Sequence, residues 1–271
     1  MTLPSNKTGI LALTLTLEHS FLANPAGIQK NLIDALQLYM SNTLKINNKK
    51  GFIITIDGPS GAGKSTVARA LAKRLGFIYI DTGAMYRVVA LEMSKRGMSF
   101  EDEDTLFQWA SSLQIHFLDQ KGETRVFCDG KDLTKEIRSP EISLLASEFS
   151  KRRGVREALV KMQREMGEGG GVVLEGRDTG TVVFPSADVK FYLDAQPEER
   201  ARRRYEELTG KGVSVSFEET LEEVIQRDHN DMNRSLSPLR KAEDAMVIDS
   251  TCRSAEEVVE AMVRLIQEKR R

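Results

Sequence analysis

The sequence has few residues that could build a metal site or a disulfide framework. Its two cysteines, Cys128 and Cys252, lie far apart and show no CxxC spacing. The three histidines, His19, His116 and His229, are scattered and form no cluster with them. These features argue against a zinc site and against disulfides. They fit a reducing compartment, and we expect a cytoplasmic protein.

A large net charge and a long apolar run are also missing. The formal net charge is −1 at pH 7, so no overall positive field is available to hold a nucleic-acid backbone. The longest apolar run, residues 10–17, is interrupted by two threonines and stopped by Glu18. It is too short to span a bilayer and does not have the pattern of a secretion signal. We therefore expect neither a nucleic-acid partner nor a membrane partner. We expect instead that the protein binds a small molecule through local charges.

The first 50 residues contain no arginine and only two acids, Glu18 and Asp34. Leucines alternate over residues 11–17 as in a strand, and apolar residues recur with helical spacing over residues 28–40. A polar run at residues 47–50 ends the segment. We interpret residues 1–50 as an N-terminal extension outside the catalytic unit. A targeting segment and an overlong start site are the alternatives.

From Gly51 onwards, strands and helices alternate. The predicted core strands are 52–56, 77–80, 172–174, 189–193 and 246–248, and predicted helices start at Ser65 and Ser254. This alternation predicts an α/β fold, with a parallel sheet covered by helices on both faces. Residues 84–170 break the pattern and contain one hairpin, with strands near 113–117 and 125–128. We interpret this stretch as an inserted lobe within a core of 51–83 and 171–271.

A phosphate-binding loop follows the first core strand and opens the first core helix. It has the pattern G-x-x-x-x-G-K-[ST], and the strand before it and the helix after it are the context that this motif requires. Backbone amides of such a loop surround phosphate oxygens, its lysine reaches the β- and γ-phosphates, and its serine hydroxyl binds Mg²⁺. The predicted ATP-binding residues are Gly58, Pro59, Ser60, Gly61, Ala62, Gly63, Lys64, Ser65 and Thr66, with Ser65 as the Mg²⁺ ligand.

The phosphate-binding loop indicates the donor and leaves the reaction open. The Asn-Lys-x-Asp segment with which GTPase switches read guanine is missing. Strand 172–174 ends in Glu175, as a Walker-B strand ends in an acid, but Gly176-Arg177-Asp178 follows directly. The arginine there favours an anionic acceptor over a motor or transport function.

Two further motifs start where core strands end: Asp81-Thr82-Gly83-Ala84-Met85-Tyr86-Arg87 and Glu175-Gly176-Arg177-Asp178-Thr179-Gly180. Open α/β sheets bind ligands at this edge. With these motifs, with EERARRR from Glu198, with RDHNDMNR from Arg227 and with DST from Asp249, the chain closely resembles bacterial-type cytidylate kinase, of the nucleoside monophosphate kinase group. The resemblance runs from about Phe52 to the C-terminus.

The resemblance implies an enzyme that moves the γ-phosphoryl group of ATP to CMP or dCMP with the help of Mg²⁺. It implies that the lobe at about 84–170 binds the monophosphate and that a lid covers ATP at about 197–215. The implied catalytic residues are Lys64, Arg177, Arg200, Arg203 and Arg204. The implied CMP-binding residues are Thr82, Arg87, Ser147, Arg156, Arg177, Asp178, Arg227, Asp231 and Arg234.

The residues themselves support part of this assignment. Ser216 and Glu219 form a capping box for a helix whose apolar stripe we predict to be Phe217, Leu221, Val224 and Ile225. Residues 227, 231 and 234 then fall at i, i+4 and i+7 along one edge of that stripe, as suits a cleft wall, although a surface ladder of ion pairs has the same spacing. Residues 200, 203 and 204 share a helix face, which a solvated basic helix would also show.

Two rival functions remain open at this point. One is a kinase of another small acceptor, such as UMP, and the other is a non-catalytic regulator that only binds ATP. We expect the protein to be a monomer.

Overall fold

The structure is a computed structural model that describes residues 51–97, 101–120 and 123–269. The strand and the helix expected within the first 50 residues lie outside the described residues, and the interpretation of that segment as an extension stays a prediction. Among the helices of the described ranges, none is both long enough and apolar enough to cross a bilayer.

Strands and helices alternate through the described residues. The strands are β1 (Ile53–Asp57), β2 (Ile78–Asp81), β3 (Ile115–Gln120), β4 (Glu123–Cys128), β5 (Lys131–Asp132), β6 (Val172–Gly176), β7 (Val189–Asp194) and β8 (Met246–Asp249). The helices are α1 (Lys64–Leu75), α2 (Thr82–Lys95), α3 (Glu103–Ser112), α4 (Pro140–Phe149), α5 (Arg153–Gly167), α6 (Pro197–Gly210), α7 (Phe217–Asn233) and α8 (Ala255–Lys269).

The core is a five-stranded sheet in the order β2-β6-β1-β7-β8. All of its strand pairs are parallel, which confirms the predicted fold class, and each predicted core strand lies within two residues of the observed one. Because the strands run the same way, β1, β2 and β6 all end at one edge of the sheet. The phosphate-binding loop and both acceptor motifs therefore start side by side.

Helices cover both faces of this sheet. Ile54 and Ile56 of β1 are buried in one apolar cluster with residues of α1 and α8. Val172 and Leu174 of β6 are buried in a second cluster with residues of α2 and α5. Alternate side chains of a strand point to opposite faces, so the continuous apolar strands of the sequence match a sheet that is buried on both sides.

The segment between α2 and β6 contains a second, antiparallel sheet in the order β3-β4-β5. Ile115 lies opposite Cys128 and Phe117 lies opposite Val126, which confirms the predicted hairpin. The inward side chains of this sheet join the apolar cluster of α2 and β6. The segment is therefore packed onto the core on the side where the acceptor motifs lie.

The capping box predicted for α7 forms in both directions. Glu219 accepts from the backbone N–H of Ser216 at 2.9 Å, and the Ser216 hydroxyl accepts from the N–H of Glu219 at 3.1 Å. The predicted apolar stripe of this helix is wrong at one position. Val224 is buried, whereas Ile225 is 53% exposed. Ile225 lies about 100° further around the helix, beyond the face that α7 packs against α6.

Two consecutive glycines return the chain from the inserted segment to β6, and only one of them is sterically enclosed. Gly170 has φ +68°, and a Cβ placed on it would lie 2.0 Å from the Gly51 carbonyl oxygen. Gly171 has φ +67°, and a Cβ there meets nothing within 4 Å. A side chain at either position would be strained by the left-handed backbone. Only a side chain at Gly170 would also clash with another part of the chain.

We therefore expect Gly171→Ala to lower the free energy of unfolding by about 1 kcal/mol, which is the cost of left-handed backbone. Gly170→Ala adds a clash with backbone atoms and should lower it by about 3 kcal/mol or more. Urea denaturation of both variants, followed by circular dichroism, makes the comparison. Equal losses would contradict the close approach of residues 51 and 170.

Candidate active site

The loop between β1 and α1 forms a cradle of backbone amides. Gly61 and Gly63 adopt left-handed backbone, with φ of 78° and 87°, which glycine does without steric cost. A Cβ at Gly61 would lie 2.9 Å from Cβ of Arg200, so the packing of α6 also requires a small residue there. The first turn of α1 contains no acidic residue. The partial positive charge of its N-terminus is therefore available to an anion.

Lys64 lies buried at the start of α1. Its Nζ donates to the Pro59 carbonyl at 2.5 Å. Burial, and after it the neighbouring Arg177, lower the pKa of Lys64 to about 7. A cation held next to another cation in a buried site gains strongly from a bound anion. The position of Lys64 thus favours a polyphosphate.

Glu175 ends β6 beside this cradle. Its carboxylate accepts from the Tyr79 hydroxyl at 2.6 Å and from the Ser65 hydroxyl, while burial, followed by the charge of Asp81, raises the pKa of Glu175. The Thr82 hydroxyl donates to the Glu175 carbonyl oxygen at 2.6 Å. These bonds fix the start of α2 against the end of β6.

Asp57 ties the phosphate-binding strand to the loop that follows β6. Its carboxylate accepts from Thr179 through the backbone N–H at 2.8 Å and through the hydroxyl at 2.7 Å. It also accepts from the N–H of Gly180 at 2.7 Å. Burial raises the pKa of Asp57, and these three bonds oppose the rise. This carboxylate anchors the start of the short helical turn Thr179–Val183, which directly follows residues 177 and 178.

Most of the predicted acceptor residues meet in pairs at this edge. Arg177 donates through Nε to Asp231 at 2.8 Å, and Arg156 forms a buried ion pair with Asp178. Arg234 lies 3.9 Å from the same Asp178 carboxylate. It caps the end of α7 in extended backbone, so it reaches the site from the loop and not from the helix.

Asp81, which ends β2, pairs with Arg87, another predicted arginine of the acceptor side, and with one arginine that the sequence did not indicate. Its carboxylate accepts from the N–H of Ala84 at 2.8 Å and thereby caps α2. Arg87 pairs with the same carboxylate at 3.2 Å, and Arg138 at 3.4 Å. Arg138 belongs to the short 3₁₀ turn Glu136–Arg138 of the inserted segment. No periodicity or motif pointed to it.

The three predicted lid arginines occupy different positions. Arg200 is buried and donates to the Ser60 carbonyl at 3.2 Å and to Asp228 at 2.6 Å, so it braces the phosphate-binding loop from behind. Arg203 donates to the Ser250 carbonyl at 2.6 Å. Arg203 and Arg204 line the open cavity, and Arg200 does not.

These elements enclose a cavity of about 510 Å³. Its lining includes ten basic side chains and five carboxylates among the described residues, a net charge of +5. The predicted residues along its wall are Ser60, Gly61, Gly63, Lys64, Ser65, Thr66, Thr82, Arg87, Ser147, Arg156, Arg177, Asp178, Arg203, Arg204, Arg227, Asp231 and Arg234. Gly58, Pro59 and Ala62 support the loop without lining the cavity.

Three arginines of the wall have a buried donor without a hydrogen-bond partner, and Nε of Arg87 is one of these donors. No hydrogen bond or ion pair joins Arg227 to another described residue, and its buried Nε has no partner. Burial, and then Arg177, lower the pKa of Arg227 to about 10. Arg234 has a buried Nη2 without a hydrogen-bond partner, and burial, followed by Arg156, lowers its pKa. Buried donors without partners are costly, so all three arginines point to an anionic ligand in the cavity.

Sequence comparison decides the family. The sequence model described as cytidylate kinase matches residues 54–268. The chain belongs to the cytidylate kinase family. Cytidylate kinase of Geobacter sp. (strain M21) is 51% identical over 226 residues, which are 83% of this chain and 97% of that protein. Cytidylate kinase of Citrifermentans bemidjiense is 52% identical over 222 residues, 82% of this chain and 95% of that protein. Cytidylate kinase of Vibrio cholerae is 46% identical over 217 residues, 80% and 96% of the two chains.

Membership of the cytidylate kinase family confirms the resemblance drawn from the motifs. The cavity nevertheless contains residues to which the sequence assigned no role: Tyr86, Arg138, Glu207 and Lys211. Tyr86 stood in a quoted motif, and the guanidinium carbon of Arg156 lies 5.6 Å from the centre of its ring. Lys211 follows the last turn of α6 and pairs with Glu207 at 2.5 Å, a spacing that also occurs on ordinary helix surfaces.

The charge arrangement of this cytidylate kinase site predicts opposite effects for two neighbouring arginines. Arg227→Met removes a partly buried cation that has no ion-pair partner among the described residues, and should raise the free energy of unfolding of the ligand-free protein by about 1 kcal/mol. Arg177→Met leaves Asp231 without its pair and should lower it by about 2 kcal/mol. Thermal denaturation without nucleotide measures both. A loss of stability in Arg227→Met would show that this side chain is compensated in the free protein.

Proposed function

We propose that the protein transfers the γ-phosphoryl group of ATP to CMP or dCMP, which gives CDP or dCDP and ADP. The observation that carries the proposal is the single cavity, lined on one side by the phosphate-binding loop and on the other by guanidinium groups with buried, unsatisfied donors. One anion at the phosphate-binding loop and a second at the guanidinium groups would provide the missing hydrogen-bond acceptors. The names of the related proteins support the choice of acceptor.

On the donor side, the amides around Gly61 and Gly63 and the ammonium of Lys64 bind the triphosphate. Arg203 and Arg204 line the cavity from α6 and would neutralise charge on the phosphoryl group as it moves. Arg200 supports the loop through the Ser60 carbonyl. Its contribution to the reaction is through the position of that loop.

Mg²⁺ is part of this proposal, and the residues present fit it. The Ser65 hydroxyl lines the cavity and lies within hydrogen-bond distance of the Glu175 carboxylate. Hydroxyl and carboxylate oxygens are ligands that Mg²⁺ prefers, together with water and phosphate oxygens. Ser65 would hold the ion, which supplies positive charge to the β- and γ-phosphates when bound.

On the acceptor side, Arg87, Arg177 and Arg234 would hold the phosphate of the monophosphate. Arg227 and Asp231 would face its sugar. Four further residues would complete the pocket: Thr82, and at the nucleobase Ser147, Arg156 and Asp178. Because the acceptor phosphate is already an anion, no general base is required. Rate enhancement would come from alignment of the two phosphates and from stabilisation of charge by fixed cations.

We infer that the monomer is the working unit, because one chain supplies both the phosphate-binding loop and the arginines of the opposite wall. Both cysteines are free thiols, which supports the inference of a reducing, cytoplasmic location.

The direct test is a coupled assay of ADP production with ATP, Mg²⁺ and each of CMP, dCMP, UMP, AMP and GMP. We expect CMP and dCMP to be the best acceptors. A preference for UMP would identify a different small-acceptor kinase. ATP binding without any acceptor-stimulated ADP release would instead indicate a regulator.

In the same assay, Lys64→Met should lower turnover of CMP by about 10²-fold or more, if the ammonium supplies about 3 kcal/mol to the transition state. Methionine keeps the approximate length of the side chain and removes only the charge. The melting temperature of the variant serves as the control for folding. Turnover close to that of the wild type would contradict the role given to Lys64.

Asp178 should decide between cytosine and uracil. Its carboxylate can accept from the amino group of cytosine and would repel the carbonyl of uracil. Asp178→Asn should therefore narrow the ratio of kcat/KM for CMP over UMP by about tenfold or more. Asp231→Asn is the matched control. Because Asp231 would face the sugar, this change should lower kcat/KM for CMP and for UMP by similar factors. An unchanged ratio in Asp178→Asn would rule out this assignment.

A further inference from the structure

The loop after α7 contains a strained residue outside every motif discussed above. Ser237 has φ of 47°, in the left-handed region that residues other than glycine rarely adopt. It also precedes Pro238, and a residue before proline is normally extended. Such a conformation costs free energy and persists only where the surrounding structure enforces it. Strain of this kind directs attention to what the residue holds.

Ser237 holds two of the acceptor-side arginines at once. Its hydroxyl accepts from Nε of Arg156 at 3.2 Å, and its carbonyl oxygen accepts from Nε of Arg234 at 2.6 Å. Arg156 comes from α5, whereas Arg234 caps α7. Because the hydroxyl and the carbonyl belong to one residue, its backbone torsions set the angle between the two guanidinium groups.

Both bonds use Nε and leave the outer nitrogens for other partners. Nη2 of Arg156 pairs with Asp178, and its Nη1 donates to the Ser150 carbonyl at 3.3 Å. Nη2 of Arg234 is buried without a hydrogen-bond partner, and Arg234 is a residue of the cavity wall. Ser237 therefore binds each guanidinium through its Nε, and both arginines line the cavity.

The loop itself is anchored on both sides of this contact. The N–H of Leu239 donates to the carbonyl of Asp231 at 2.8 Å, and Leu239 is buried. Asp231 is in turn bound to Arg177. The turn around Ser237 is thus fixed to the same group of residues that it orients.

We propose that Ser237 is a positioning residue for the acceptor nucleotide. It aligns Arg156, which would face the nucleobase, and Arg234, which would bind the phosphate. This inference rests on the proposed function, because it names a determinant of the same acceptor site. Ser237 itself need not touch the substrate.

The test compares Ser237→Ala with Ser237→Gly. Both remove the hydroxyl, but glycine also removes the backbone strain. We expect both variants to raise KM for CMP about 3- to 10-fold, to leave KM for ATP within twofold, and to narrow the preference for CMP over UMP. Ser237→Thr, which restores a hydroxyl, should recover part of the affinity for CMP. Ser235→Ala, at an exposed serine of the same loop, is the matched control and should leave both KM values unchanged.

A double-mutant cycle with Arg156→Lys separates positioning from a general loosening of the loop. Lysine has no Nε, so Ser237→Ala should change KM for CMP by less than twofold in that background. An unchanged KM for CMP in Ser237→Ala, or parallel losses for ATP and CMP together with a lower melting temperature, would overturn the inference. If the wild type itself does not phosphorylate CMP, the proposed function fails instead, so the two failures are distinguishable.

Discussion

The arrangement of the site depends on one buried carboxylate. Asp57 lies at the end of β1, immediately before the phosphate-binding loop, and accepts three hydrogen bonds from Thr179 and Gly180. A charge buried this way is stable only while its partners stay in place, since burial raises the pKa of Asp57 and the three bonds oppose the rise. The loop that carries Arg177 and Asp178 can therefore move little relative to the loop that would bind ATP. The two sides of the cavity are held in register by the fold itself.

Around this fixed frame, the site concentrates positive charge beyond what its own carboxylates balance. The cost is visible in single residues, since the pKa of Lys64 is lowered to about 7 and that of Arg227 to about 10. In each case burial is the main cause and Arg177 is the next. A site of this kind is less stable empty than filled, so bound phosphates contribute to the stability of the protein as well as to its chemistry. The large apolar clusters on both faces of the sheet offset this local loss.

The sequence predicted features that depend on interactions between nearby residues, and it missed features that depend on residues far apart in the chain. The strands, the phosphate-binding loop and the capping box of α7 depend on neighbours within a few residues, and their patterns can be recognised in the sequence. The stripe of α7 was wrong at Ile225, because the width of a buried face is set by the helix that packs on it. Arg138 and Ser237 had no signal. Arg138 pairs with Asp81, 57 positions away, and the Ser237 hydroxyl accepts from Arg156, 81 positions away. Arg156 itself was placed by resemblance and not by periodicity.

The carboxylates of the acceptor side orient the arginines of the cavity wall. Asp81, Asp178 and Asp231 each bind an arginine of the wall and so orient it before any ligand arrives, which reduces the ordering that a ligand must pay for. The same carboxylates cancel part of the positive charge, so that no single phosphate gains the full attraction of the site. A ligand gains most when it meets the arginines and the carboxylates together, through its phosphate, its sugar and its base. This partial neutralisation of the pocket would favour a whole nucleotide over a free phosphate.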